Sequence, residues 1–160
     1  MNAVSAWWQP WTAVAGFAFL SNFTWEMWQA PFYRTMAAAS HLSAVVVCSL
    51  ATMGDAAITV AAFGVATATV RDRRWLFRPA ARPVAVYLGV GLGVTILLEW
   101  LNVRVWQRFA YAPLMPTVFG IGLTPLIQWI VLPPVALWLA ARHLGAGKMS
   151  GPGAAGQLGK

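Results

Sequence analysis

LSAVVVCSLATMGDAAITVAAFGVATATV, residues 42–70, is an apolar run interrupted by one charged side chain, Asp55. A helix rises 1.5 Å per residue, and the hydrocarbon core of a bilayer takes about 20 apolar residues to cross. This run is long enough to cross and to tilt or protrude. Three further stretches qualify as spans: 8–28, ending before Pro31; 83–103, opening on Pro83 in a favoured first-turn position; and 118–141. Backbone groups in lipid must be satisfied within their own segment, so each is predicted to be a helix. The predicted fold is all-α: a four-transmembrane-helix bundle over residues 1–144, followed by a flexible cytoplasmic tail at 145–160 that is rich in Gly, Ala and Ser.

Composition points the same way. The chain of 160 residues is 59% hydrophobic and 9% charged, against about 25% charged for a soluble domain. Too few polar groups remain to cover a water-facing surface. The net charge of +7 invites a nucleic-acid reading, but the basic residues lie between long apolar runs and form no continuous basic face. No nucleic-acid partner is expected. Cys48 is the sole cysteine, which excludes a disulfide framework or a paired-thiol metal site. Residues 1–9 lack Lys and Arg, so the first run reads as a retained helix, not as a cleaved signal.

Charge sets the predicted orientation. Arg71, Arg73, Arg74, Arg78 and Arg82 lie between the second and third spans, and Arg142, Lys148 and Lys160 follow the fourth. The opposite side holds only Arg34, Arg104 and Arg108. The positive-inside rule then places both termini in the cytoplasm of a bacterial inner membrane. The arginine loop is a topology signal, and contact with anionic lipid head groups can accompany it.

Three of the four acids fall within spans: Glu26, Asp55 and Glu99. On insertion scales each costs roughly 2.5–3.5 kcal/mol at the centre of a helix. Such residues usually face the bundle interior or a wet cavity. A neutral carboxylic acid there is both a hydrogen-bond donor and a proton source. Asn22, Gln29, Thr95 and Asn102 stand three or four residues from Glu26 or Glu99, and Gln128 lies at mid-depth in the fourth span. Arg34 and Arg104 are candidate counter-ions folding back from the helix ends. Interhelical adhesion, at around 0.6 kcal/mol per contact, is the structural alternative for Asn22, Thr95 and Gln128. Snorkelling to the interface is the alternative for Glu26.

Ten tryptophans are many for this length. Trp7, Trp8, Trp11, Trp75 and Trp106 lie near predicted interfaces, where such rings anchor a protein. Trp25, Trp28, Trp100 and Trp129 neighbour the polar positions. With Asn22, Asn102, Tyr111 and Gln128 they are the candidate substrate-binding residues, because π faces around carboxyl groups suit a flat or polyene substrate, or a developing carbocation. The stretch YAPLMPTVFGIGLTPLIQW, 111–129, predicts an irregular segment over the outer mouth of the bundle and a helix starting near Thr124-Pro125, kinked at Pro133 and Pro134. Gly89-x-x-x-Gly93 is a weak signal for close helix packing. His41 and His143 have no second ligand at metal-site spacing, and no phosphate loop or dinucleotide fingerprint is present, so no cofactor or metal is expected.

The residues N-F-x-W-E at 22–26, G-D-A at 54–56, and Glu99, Asn102, Trp106, Tyr111, Met115-Pro116, Pro125-Leu126 and Gln128 resemble a group of small four-span bacterial membrane proteins. That resemblance covers most of 20–141 and implies a fold size but no activity. A more distant analogy links the chain to integral-membrane terpene cyclases, which also combine intramembrane carboxyl groups with aromatic helices but have more spans.

Three functional readings follow. The first is acid/base catalysis, a cyclisation or isomerisation, on an isoprenoid or another lipid-soluble molecule, with catalytic Asp55, Glu99 and Glu26. The second is a small proton-linked transporter working as a homo-oligomer. The third is a non-catalytic subunit or assembly factor of a membrane complex. A pocket opening laterally to lipid separates the first from a polar path through the bundle, and from acids that face lipid.

Overall fold

The computed structural model describes residues 3–149, with the side chains of 8–72 and 74–145. These residues are mostly helical. Four long helices, α1 (Ala3–Gln29), α3 (His41–Val70), α4 (Ala81–Trp100) and α5 (Leu123–Met149), pack in a ring. α1 and α4 each lie beside both α3 and α5, so α1 and α4 stand diagonally opposed. A single helical turn, α2 (Arg34–Ala37), lies between α1 and α3.

Local chemistry explains the ends. Pro31 lacks a donor and closes α1 in a 3₁₀ turn, Ala30–Phe32. Ser40 caps α3 through its Oγ, which accepts from the Ser43 amide at 3.3 Å. α3 stops at Arg71, whose φ of 52° leaves the helical region. Asp72 then accepts from the Arg74 amide at 2.8 Å and opens a second 3₁₀ turn. α4 runs into a π turn, Leu101–Val105. Two short strands, β1 (Thr117–Val118) and β2 (Ile121–Gly122), form a hairpin whose turn, Phe119-Gly120, has positive φ at both residues. That is the turn geometry whose twist matches paired strands.

Among the described residues, three helices are long and apolar enough to cross a membrane: His41–Val70, Ala81–Val105 and Leu123–Gly145. The first predicted span, 8–28, is helical but is not among them. Ser21, Asn22, Thr24 and Glu26 crowd its second half, and tryptophans take the place of aliphatic residues. Apolar side chains cover the outside of the bundle. Leu42, Leu50 and Met53 of α3, Leu97 of α4 and Ile130 and Trp138 of α5 are more than half exposed, which fits a hydrocarbon solvent.

The buried stripes have helical period. On α3 they are Cys48, Thr52, Ala56, Thr59, Ala62, Phe63 and Ala66. On α4 they are Pro83, Tyr87, Gly91 and Thr95. At the arginine-loop end Val14, Phe63, Ala66, Trp75, Leu76, Tyr87, Leu137 and Ala140 belong to one apolar core. Trp75 is therefore no interface anchor. It lies buried between Phe63 and Tyr87, its indole N–H bonded to Thr67 Oγ1 at 3.0 Å. Trp11 likewise meets Phe63 edge to face. Trp8 and Trp106 are exposed, as interface anchoring requires, and the Trp7 side chain lies outside the described residues.

Other expectations change in detail. α5 begins at Leu123, and Thr124 donates to Met115 Sδ instead of capping the helix. α5 continues through Pro133 and Pro134 and on to Met149, past the start predicted for the tail at 145; residues 150–160 lie outside the described residues. The close-packing glycine is neither Gly89 nor Gly93, whose added Cβ would meet open space, but Gly91, against which the Trp129 ring is seated. Gly91→Ala would drive a methyl group into that ring. We expect a loss of about 1–3 kcal/mol by thermal unfolding in detergent. Gly89→Ala and Gly93→Ala should be neutral or stabilising by up to about 1 kcal/mol.

Candidate functional site

Above the apolar core the bundle holds a cavity of about 530 Å³. Glu26 of α1, Asp55 of α3, and Glu99 of α4 all line it. α1 and α3 are neighbours and α4 is across the ring from α1, so acids far apart in sequence meet through the ring order of the helices.

One wall carries a network centred on Gln128 of α5. Its Nε2 donates to Asn22 Oδ1 at 2.8 Å, to Asp55 Oδ2 at 2.9 Å and to Glu26 Oε1 at 3.2 Å. Gln29 Nε2 donates to Glu26 Oε1 at 2.5 Å and to Gln128 Oε1 at 3.3 Å. Trp25 orients Gln29 through an indole N–H bond of 3.1 Å to its Oε1. An amide nitrogen has two hydrogens, and Gln128 serves three acceptors, so donors are scarce here. Glu26 and Asp55 thus accept from one and the same amide nitrogen, which sets their carboxyl groups side by side on this wall.

The other wall is organised differently. Glu99 Oε1 accepts from Tyr33 Oη and from Tyr111 Oη, both at 2.9 Å. Tyr111 Oη in turn accepts the Gly122 amide at 2.8 Å, which leaves its own hydrogen for Glu99. Burial, reinforced by the Glu99 charge, raises both phenols above the ordinary tyrosine range, so they remain donors. Backbone pairing places them together: Tyr33 and Tyr111 form an antiparallel bridge, with Arg34 N to Ala110 O at 2.9 Å and Ala112 N to Phe32 O at 2.8 Å. The connection that follows α1 and the one that follows α4 are thus stitched together at this end of the cavity.

Tyr111→Phe removes a Glu99 bond and the acceptor for Gly122, whereas Tyr33→Phe removes only the former. We expect about 1–3 kcal/mol of destabilisation for Tyr111→Phe and less for Tyr33→Phe, read as unfolding midpoints in detergent.

The mouth of the cavity lies at its side. Val47, Leu50, Ala51 and Gly54 of α3 and Leu98 of α4 line it and are also exposed on the outside of the bundle. The cavity is thus open between α3 and α4, along a flank of apolar side chains. Tyr33, Phe109 and Trp129 are aromatic lining residues, and Arg108 and Asn102 lie on the lining as well.

Several predicted binding residues have other positions. Trp28 and Trp100 are about half exposed and, like Trp25, are not on this lining. Indoles next to a carboxylate in sequence point elsewhere on a helix, at about 100° per residue. Asn102 lines the cavity but donates to Leu98 O, not to Glu99. Asn22 and Tyr111 act from behind the lining, through Gln128 and Glu99. The proposed counter-ions are not used: Arg34 donates its Nε–H to Tyr111 O at 2.9 Å, and the Arg104 guanidinium lies against Gly120. Sequence reasoning missed Tyr33 and Phe109, which sit on turns beyond the spans. The one signal was the density of aromatics at 23–33. Among the described residues no group of three His, Cys, Asp or Glu has the arrangement of a metal site.

No protein-family model, curated protein or solved structure matches the chain.

Proposed function

We propose that the chain is a membrane-embedded acid/base enzyme that isomerises or cyclises an alkene-bearing, lipid-soluble substrate such as an isoprenoid. One observation carries the reading: two carboxyl groups held by one amide nitrogen and a third held by two tyrosines line one cavity, which opens between α3 and α4. Asp55, paired with Glu26, gives its proton to one alkene carbon. A C–H bond forms, and positive charge is left on the neighbouring carbon. The π faces of Tyr33, Phe109 and Trp129 and the negative carboxyl groups favour that charge. Glu99 then takes a proton from an adjacent carbon, and the C–H electron pair becomes a new double bond. If a second double bond of the same chain attacks first, the product is a ring. Return of the proton from Glu99 to the pair leaves no co-reactant consumed.

The apolar core beneath the cavity, around Phe63 and Tyr87, supports this reading over a carrier with a polar path through one bundle. Acids turned inward support it over a subunit awaiting a partner helix. In this reading all four long helices cross a bacterial inner membrane with both termini inside. α1, the most polar of them, is carried by the network that satisfies its side chains. Reporter fusions should score the loop at 71–82 as cytoplasmic and the hairpin at 117–122 as external; the reverse pattern would rule the topology out. The function is tested by lipid extracts of cells with and without the protein. An alkene-bearing lipid should give way to an isomer of equal mass. Identical extracts would remove the basis for catalysis.

A further inference from the structure

Hydroxyl groups in a helix interior ordinarily donate to the carbonyl three or four residues earlier. This chain follows that habit closely. Thr24 bonds Leu20 O at 3.1 Å, Ser49 bonds Val45 O at 2.7 Å, Thr52 bonds Cys48 O at 2.7 Å, Thr59 bonds Asp55 O at 2.8 Å and Thr67 bonds Phe63 O at 2.8 Å. Thr95 does not. It is 8% exposed, and among the described residues its Oγ1 is the one buried side-chain polar atom with no hydrogen-bond partner. An orphaned hydroxyl away from water is costly, and valine would fill the same space without that cost.

Position gives the orphan a meaning. Thr95 lines the cavity and continues the stripe Tyr87, Gly91 on α4, with Glu99 one turn further on. Trp129, also on the lining, packs against Gly91 one turn before it. The unpaired hydroxyl is therefore on the lining that also carries the three acids, beside an aromatic wall.

We infer that Thr95 anchors an oxygen atom of the substrate. The cavity takes a lipid with an alcohol or carbonyl group on an apolar chain, not a pure hydrocarbon. The chain lies toward the lateral mouth among Leu50, Ala51 and Leu98, and the oxygen accepts from Thr95 Oγ1. This rests on reading the cavity as a substrate site, and it adds the polar end of the molecule that the acids act on.

Farnesol and its hydrocarbon counterpart farnesene are suitable probes, titrated against the full chain in detergent with the unfolding midpoint as readout. Farnesol should raise the midpoint more than farnesene does. Thr95→Val should leave the ligand-free midpoint unchanged or higher, weaken farnesol about tenfold, the worth of one hydrogen bond, and leave farnesene unaffected. Thr95→Ser should keep farnesol binding. The inference is overturned if farnesol fails to stabilise the protein, if the two probes act alike, or if Thr95→Val binds farnesol as the parent does. It is equally overturned if Thr95→Val lowers the ligand-free midpoint, because the hydroxyl then has a structural partner. Selective farnesol binding that survives in a chain whose expression never alters cellular lipids would retain the oxygen site and discard the acid/base chemistry.

Discussion

Gln128→Leu is expected to cost roughly 3 kcal/mol or more of stability, because one side chain serves four others. Its Nε2 donates to Asn22, Asp55 and Glu26, and its Oε1 accepts from Gln29. Leucine fills a similar volume, so the packing term is small. The cost comes from acceptors left without donors in a buried, water-poor site, at about 1–3 kcal/mol for each group that finds no substitute. Total stabilities of about 5–15 kcal/mol make that a large fraction. Simple interhelical adhesion predicts much less, around 0.6 kcal/mol per contact, so the size of the effect decides between the two. The measurement is thermal unfolding in detergent, followed by near-ultraviolet circular dichroism. Adding Glu26→Gln to Gln128→Leu should recover part of the loss, since the new amide restores a donor beside Asn22 and Asp55. A loss below about 1 kcal/mol, or no recovery in the double variant, would show that Gln128 is not the hub.

Asp55→Asn should lower turnover by roughly a hundredfold to ten-thousandfold, the usual worth of a general acid, while the folded state survives. An asparagine side chain still accepts from Gln128, so the network closes without a transferable proton. Glu99→Gln should have a comparable effect for the opposite reason. The Tyr33 and Tyr111 hydroxyls remain aimed at an oxygen, but an amide cannot collect a proton. Product-to-precursor ratios in lipid extracts, normalised to protein in the membrane, give the readout. Both variants should resemble cells without the protein. If the deletion alters the lipids and either variant still behaves as the parent, that residue is not in the chemistry.

The two walls differ chemically because different elements build them. Helix faces supply the amide donors of Glu26 and Asp55, and the bridged connections supply the tyrosine hydroxyls of Glu99.

Much of this was legible in residues and spacing. Asp55 in the middle of a long apolar run has a side chain too short to reach water, so an interior position followed from its cost alone. Gln29, three residues after Glu26, is bonded to it as helical spacing implies. Other neighbours in sequence were misleading. Asn102, one turn from Glu99, turns to its own backbone, and Trp28 and Trp100 face outward. Tyr33 and Tyr111, far apart in sequence, could not be paired with Glu99 until a bridge between two connections joined them. Gly91 was hidden by the more familiar spacing of Gly89 and Gly93, since only the seating of Trp129 shows which glycine needs to lack a side chain.

By itself, the sequence determined a helical chain with long segments apolar enough for lipid, four by its own reading and three by the helices of the structure, and three acids too expensive to leave in it. Hydropathy and helix length are local properties, readable one segment at a time. Which faces meet, which acid receives amides and which receives phenols, and where the cavity opens were decided by tertiary packing. Those outcomes depend on the rotation of each helix about its axis, and that is fixed only when all four pack together.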